Sequence, residues 1–368
     1  MWIGLVGSEM CIRDRSLIRY EPYGVVGCIL PWNYPLSLMG WKLAPALAAG
    51  NTIIMKPSEI TSTSLLHWAE IVADIMPPGV LNVITGYGAE AGEEIVKHPS
   101  IPVITFTGSV KTGKRIAMHA AENLKKVSLE LGGKDPAIIC DDADIDVAAK
   151  GTSWGALVNS GQVCTSIERV YVFSNIADRF TESLVEESKK VKLGDPMDAD
   201  TDLGPMASKA QLKNTLEKVA LAKEEGARLL TGGHRPQEFD RGYFFSPTIF
   251  DRVRPDMEIV TEESFSPVIP VQKVDSLDEA IQMSNATKYG LGCTIFTKDI
   301  ERAMNAADKI KSGTVCINSP LMENIAAPFG GMKQSGIGRE HGIEALDEFR
   351  EAKHIYIDYE HSKKSWWF

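Results

Sequence analysis

Cys164 has the surroundings of a nucleophile. It stands in Asn159-Ser160-Gly161-Gln162-Val163-Cys164-Thr165, where the flanking side chains are small or polar. Such a setting leaves a thiol reachable, and a nucleophilic cysteine needs access and a lowered pKa. An inert loop cysteine fits the same segment. Glu130 lies between Leu129 and Leu131 at the end of an alternating stretch. A carboxylate partly withdrawn from water there gains a raised pKa and general-base character. A solvent-facing strand glutamate is the plainer alternative. Asn33 follows Pro31-Trp32 in a tight turn. Its amide could donate to a developing oxyanion or simply serve the turn.

Gly108-Ser109-Val110-Lys111-Thr112-Gly113-Lys114-Arg115 follows an apolar run and opens a helical one. Backbone N–H groups free at a helix start bind phosphate. The segment nearly matches the P-loop pattern, but Arg115 stands where a Mg²⁺-binding hydroxyl is required. A P-loop nucleotide hydrolase is therefore the alternative enzyme class. Lys56 and Glu59 leave a strand end, where open parallel sheets bind ligands. Glu262 and Glu263 pair two acids beside Phe265. The 7 histidines show no metal-ligand spacing, and no metal is expected.

These residues need elements to hold them. Val25–Leu30 is an unbroken apolar run, as in a strand buried on both faces. The turn at 31–35 leads to a helix ending near Ala49. Thr52–Met55, Leu81–Ile84 and Pro102–Phe106 read as further strands. A helix from about Thr61 stops at Pro77-Pro78-Gly79, and another spans Ala89–Lys97. Beyond Gly132-Gly133 a second α/β region begins. It has helices over Ile176–Val191 and Ala207–Glu225 and strands near Val170, Thr248, Thr294 and Val315. His354–Tyr359 reads as a terminal strand that needs a partner edge, which another subunit could supply. Alternating short strands and helices predict an α/β fold with a doubly wound parallel sheet.

Composition sets the limits. The chain has 368 residues, with 44% hydrophobic and 24% charged, enough for two cored domains. Its formal charge of −10 argues against a nucleic-acid partner, which needs a basic face. It allows a locally basic cofactor cleft around Lys56 and Lys111. The 6 cysteines form no C-x-x-C pair, which argues against zinc and a disulfide scaffold and for a reducing, cytoplasmic setting. No run reaches the roughly 18–20 apolar residues of a membrane span. Residues 1–15 lack the basic start of a signal peptide and read as a non-native leader outside the fold.

Taken together and in order, these motifs resemble the aldehyde dehydrogenase superfamily. The carriers are Pro31-Trp32-Asn33-Tyr34-Pro35, Lys56-Pro57-Ser58-Glu59, Phe106-Thr107-Gly108-Ser109, Leu129-Glu130-Leu131-Gly132-Gly133-Lys134, Gly161-Gln162-Val163-Cys164, Glu262-Glu263-Ser264-Phe265-Ser266-Pro267 and Pro328-Phe329-Gly330-Gly331. The likeness runs from about Glu21 to about Tyr359. It implies a Rossmann-like cofactor domain, incomplete here, over 16–131 and 335–351. A catalytic α/β domain would span 132–334, and an oligomerisation strand and tail 352–368.

The resemblance also implies roles. Cys164 would attack the aldehyde, and Asn33 with the Cys164 backbone N–H would hold the oxyanion. Hydride would pass to NAD, leaving a thioester, and Glu130 would activate the hydrolytic water. Lys56 and Glu59 would hold the adenosine ribose, Ser109 the pyrophosphate, and Glu263 and Phe265 the nicotinamide ribose. Leu30, Pro31, Trp32, Ser58, Gly108, Thr112, Gly113, Leu131 and Gly132 would complete the cofactor site. Glu59 would repel a 2′-phosphate, favouring NAD over NADP. Tyr34, Leu38, Trp41, Val163, Glu323 and Phe329 would surround the aldehyde. Glu323 would favour cationic or hydroxylated aldehydes over carboxylated ones, or else simply face solvent. The parent enzyme would be a homodimer or homotetramer.

Two departures from the pattern carry expectations. Ser266 replaces a usual glycine and would strain its loop if φ there were positive. The family's chain usually begins well before Glu21, so the sequence reads as a fragment. It carries the alternative of an inactive, misfolded piece with exposed apolar surface.

Overall fold

The computed structural model of the chain describes residues 4–5, 14–359, 363 and 367. Strands β1 (Gly4–Leu5) and β2 (Asp14–Pro22) precede the first βα units. These are β3 (Val25–Ile29) with α1 (Pro35–Ala48), and β4 (Thr52–Lys56) with α2 (Ser62–Val72). β5 (Leu81–Val83), α3 (Glu93–Lys97), β6 (Val103–Thr107), α4 (Val110–Ala121) and β7 (Lys126–Glu130) follow. The second half holds β8 (Asp135–Ile139), α5 (Ile145–Leu157), β9 (Ile167–Phe173), α6 (Ala177–Lys189) and α7 (Lys209–Glu224). Then come β10 (Arg228–Thr231), β11 (Thr248–Asp251), α8 (Glu258–Thr261), β12 (Val268–Val274) and α9 (Leu277–Asn285). β13 (Gly292–Phe296), α10 (Ile300–Lys309), β14 (Thr314–Ile317), β15 (Gly336–Ile337), α11 (Glu344–Asp347) and β16 (Arg350–Asp358) complete it.

Three sheets result. The first runs β15-β7-β6-β3-β4-β5 and is parallel apart from β15, which lies antiparallel on β7. Alternation along β3 shows why it is wound on both faces. Val26 and Cys28 join a core with α1 residues Leu38, Met39 and Leu43 and with Leu65 of α2. Ile29 turns to the opposite core, with Ile95 and Val96 of α3 and Ile116 of α4. The second sheet runs β10-β11-β12-β9-β8-β13-β14. β8 and β9 are buried at every residue, the charged Asp135, Glu168 and Arg169 included. Residues 335–337 return from the second half to the edge of the first sheet. The backbone N–H of Leu131 donates to the Ser335 carbonyl at 2.9 Å, beside Glu130.

The third sheet departs from expectation. The terminal strand starts at Arg350 rather than His354, and its partner is β2 of the same chain, from Arg350↔Pro22 to Asp358↔Asp14. Asp14 and Arg15, set apart as leader, therefore belong to a strand. Gly4 and Leu5 pair with Ile18 and Leu17. The other leader residues, Cys11 among them, lie outside the described residues. From Arg15 to Pro22 no β2 side chain is fully buried, so no apolar face marked the strand. A second departure is the helix expected from Ala89. It starts as a π-helical turn over Gly88–Gly92 and turns α-helical at Glu93. Glycines at both ends of that turn weaken the α-helical alternative.

Candidate active site

Asn33, Glu130 and Cys164 line one cleft of about 230 Å³ between the first two sheets. Glu130 is the last residue of β7, and Asn33 sits in the turn from β3 to α1. Cys164 follows a short 3₁₀ turn after α5. That turn is unusual. Asn159, Ser160 and Gly161 take φ of 52°, 58° and 69° in succession. A Cβ on Gly161 would stand 2.3 Å from the Ser266 carbonyl oxygen, so only glycine fits. Gln162 locks the turn: its Nε2 donates to the Asn159 carbonyl, and its Oε1 accepts from the Ala207 N–H, both at 2.9 Å. Val163 is buried, and the Cys164 side chain is half-buried at the cleft floor.

The electrostatics invert one expectation. The Cys164 thiol is pushed well above its ordinary pKa, first by burial and then by Glu130, Asp135, Glu323 and Glu263. A lowered pKa was expected for a nucleophile, but this acidic surround keeps the resting thiol protonated. Glu130 is 3% exposed, and neither carboxylate oxygen has a hydrogen-bond partner among the described residues. Burial first, then Glu340, raises its pKa well above the carboxylate range, while Lys42 opposes. Lys42 and Glu340 form a buried ion pair. Neither was marked by sequence, because the partners lie 298 positions apart.

Of the expected cofactor residues, Pro31, Trp32, Gly108, Ser109, Leu131, Gly132, Glu263 and Phe265 share this cleft. Ser109 caps α4 through a bond from Thr112 N–H at 3.3 Å. Because α4 begins at Val110, Gly113, Lys114 and Arg115 are already inside the helix. A P-loop would need loop there, so that alternative lapses. Gly113 packs on Leu131, and exposed Thr112 borders a neighbouring cavity. Leu30 is core, Ser58 is buried and Glu59 is exposed. Lys56 is buried with Nζ donating to the Pro57 carbonyl at 2.9 Å, and burial lowers its pKa. Neither Lys56 nor Lys111 lines this cleft, whose charged lining residues among those described are Glu130 and Glu263.

The loop after α8 is held by a residue that sequence did not mark. Glu168 on β9 accepts from the backbone N–H of Ser264 at 2.6 Å and of Phe265 at 2.7 Å. The buried Lys134 ammonium donates to Glu168 at 2.7 Å and to Ser264 Oγ at 2.9 Å. Phe265 carries the positive φ, +50°, and its ring meets Trp32 edge-on at 5.4 Å. Ser266 is not among the positive-φ residues, so the strain expected there falls on Phe265 instead. Glu263 accepts from the Gly133 N–H at 3.3 Å. Gln211 and Asn214 of α7 also face the cleft and were missed, having no motif around them.

Deeper, Trp41 meets Phe329 with ring centroids 5.2 Å apart and His341 at 4.1 Å. Leu38 is buried in the core beneath them, and Tyr34 packs against that core. Glu323 and Phe329 share a small cavity with Asp135. Burial first, then Cys164 and Glu323, raises the pKa of the Tyr34 phenol. Glu323 reaches solvent, and burial and Glu340 raise its own pKa.

The family model described as the aldehyde dehydrogenase family matches residues 7–355. The chain belongs to the aldehyde dehydrogenase family. Its reaction class is therefore that of an oxidoreductase acting on aldehydes, and the α/β fold is the family's. A chloroplastic aminoaldehyde dehydrogenase of Arabidopsis thaliana is 44% identical over 93% of this chain and 69% of its own length. Retinaldehyde dehydrogenase 3 of Mus musculus is also 44% identical, over 98% and 71%. Among solved structures, betaine aldehyde dehydrogenase of Staphylococcus aureus in complex with NAD⁺ superposes with a TM-score of 0.96. It is 41% identical and covers 100% of this chain and 73% of that one. Among the described residues no helix is long and apolar enough to cross a membrane, and no cluster could hold a metal ion.

Proposed function

We propose that the protein oxidises an aldehyde to its acid through a covalent intermediate on Cys164, with NAD as the electron acceptor. The convergence of Asn33, Glu130 and Cys164 on one cleft carries this reading. Cys164 Sγ gives its proton to water in the open cleft and bonds to the carbonyl carbon. The free N–H of the Asn33 amide and the Cys164 backbone N–H stabilise the oxyanion. NAD, when bound, accepts the hydride and leaves a thioester on the sulfur. Glu130 then takes a proton from water as its oxygen adds to the thioester, and acid and thiol are released. The test is Cys164→Ala, which should bind NAD normally and lose aldehyde oxidation.

Residues 16–131 and 335–351 would hold the cofactor, and 132–334 would supply the catalytic loop. The Gly108–Ser109 start of α4 suits the pyrophosphate. The apolar cavity between α3 and α4, bordered by Ile29, Val96, Phe106 and Ile116, suits the adenine ring. Glu59, whose carboxylate stands 3.8 Å from Lys56 Nζ, would turn away a 2′-phosphate and favour NAD over NADP. Five free cysteines among the described residues suit a reducing, cytoplasmic compartment, and we propose that the protein works there as a homo-oligomer.

For the substrate we propose a cationic aldehyde. Glu323 supplies a carboxylate near Tyr34 and Cys164, and Trp41 and Phe329 supply aromatic walls suited to a cation. Aminoaldehyde and betaine aldehyde dehydrogenases among the relatives agree with this. An aminoaldehyde should outrank succinate semialdehyde, and Glu323→Gln should narrow the gap. The opposite ranking, unchanged by that substitution, would reject the proposal.

A further inference from the structure

Asp135, the first residue of β8, lies directly behind the catalytic loop and has no part in the mechanism above. It is 3% exposed, and its Oδ2 has no hydrogen-bond partner among the described residues. Two glycines make room for it. A Cβ on Gly292 would meet Asp135 Oδ2 at 2.4 Å. A Cβ on Gly133 would meet both the Cys164 carbonyl oxygen, at 2.5 Å, and Asp135 Oδ1, at 2.7 Å. The carboxyl and the nucleophile's own backbone thus crowd the same glycine from two sides. Asp135 also borders the cavity that contains Glu323 and Phe329, so it touches the aldehyde side of the site.

We propose that Asp135 is a positioning residue for Cys164, and that the ionisation state of its carboxyl sets how readily the Cys164 thiol gives up its proton. The proposal rests on the reading of Cys164 as the nucleophile. With the carboxyl neutral, one of the four acids that oppose the thiolate is discharged and the thiol gives up its proton more readily. With it ionised, a second negative charge faces the sulfur in a poorly solvated space and the thiol holds its proton.

The surrounding groups make the switch accessible near neutral pH. Burial pushes Asp135 up to about 7; backbone hydrogen bonds from Gly292 and Lys134 and the charge of Arg169 pull it down, and Glu168 pushes it up. Arg169 and Glu168 face it from β9, Cys293 from β13 and Cys316 from β14. Cys164, Glu130 and Glu263 each feel its charge, which raises all three. Lys134 is engaged with Glu168 and Ser264.

The test is the rate of Cys164 alkylation by iodoacetamide across pH 6 to 10 (approximate limits), read on the Cys164 peptide by mass spectrometry without cofactor. Asp135→Asn keeps the shape and removes the charge. It should match the parent near pH 6 and alkylate faster above pH 8, on the order of threefold, as a half-unit fall in thiol pKa gives. Asp135→Ser should do the same if the amide is too bulky to fold. Should neither variant fold, the parent alone decides: its rate–pH curve should show a second inflection near 7. Coincident curves, a uniform rate change at all pH, or a parent curve with one inflection would overturn the proposal. Activity retained in Cys164→Ala would instead overturn the reading it rests on, so the two failures are distinct.

Discussion

Asn33 Nδ2 donates to the carbonyl oxygen of Gln162 at 3.1 Å, two residues before the nucleophile. The bond joins the turn after β3 to the catalytic loop across 129 positions of sequence. It uses one amide hydrogen and aims the other at the cleft. Asn159 reinforces it by donating to the Asn33 and Gln162 carbonyls, both at 3.3 Å.

Asn33→Ala should therefore lower kcat by about 10²–10³, as loss of an oxyanion donor does. KM for the aldehyde should change much less. Steady-state kinetics with saturating NAD checks this. A tenfold rise in KM with kcat unchanged would place Asn33 in ground-state binding instead.

The Lys42–Glu340 pair should be costly to break and cheap to replace. Glu340→Gln leaves a buried ammonium uncompensated and should cost about 3–5 kcal/mol. Lys42→Met combined with Glu340→Leu should recover most of that, since apolar replacement of a buried pair is near neutral. Denaturant unfolding of the three proteins decides it. A double variant as unstable as the single one would show that the pair stabilises by its own attraction.

Glu130 works as a base only when ionised, and burial and Glu340 raise its pKa. A raised carboxylate pKa means protonation, and loss of activity, begins at a higher pH than for an ordinary glutamate. Deacylation should therefore climb with pH beyond the usual carboxylate range. Glu340→Gln removes a raising charge and leaves Lys42, so its acid limb should move to lower pH. Pre-steady-state kinetics at several pH values reads the deacylation step directly. An acid limb that moves to higher pH would contradict this electrostatic account.

What could be read from sequence was local. Glycines beside Cys164, the aromatic turn at Asn33 and the strand-ending Glu130 each carry chemistry in their neighbours, and β3 of the first sheet is a continuous apolar run. The unread parts depend on distant partners. Glu168 looks like a charge in a strand until Lys134, Ser264 and Phe265 close on it. Lys42 looks like a helix surface residue until Glu340 buries it. The Cys164 pKa went the wrong way because the fold buries the thiol and because four acids converge on it from separate segments. The β2–β16 ribbon was hidden because its two strands lie at opposite ends of the chain.

Covalent catalysis at Cys164 is tested most directly by trapping the intermediate. Glu130→Gln leaves the acylation residues in place and removes the base for hydrolysis. Mixed with an aldehyde and NAD, it should release about one NADH per site in a burst. Peptide mass spectrometry should then find the Cys164 peptide heavier by one acyl group. Continued turnover with an unmodified Cys164 peptide would contradict the account.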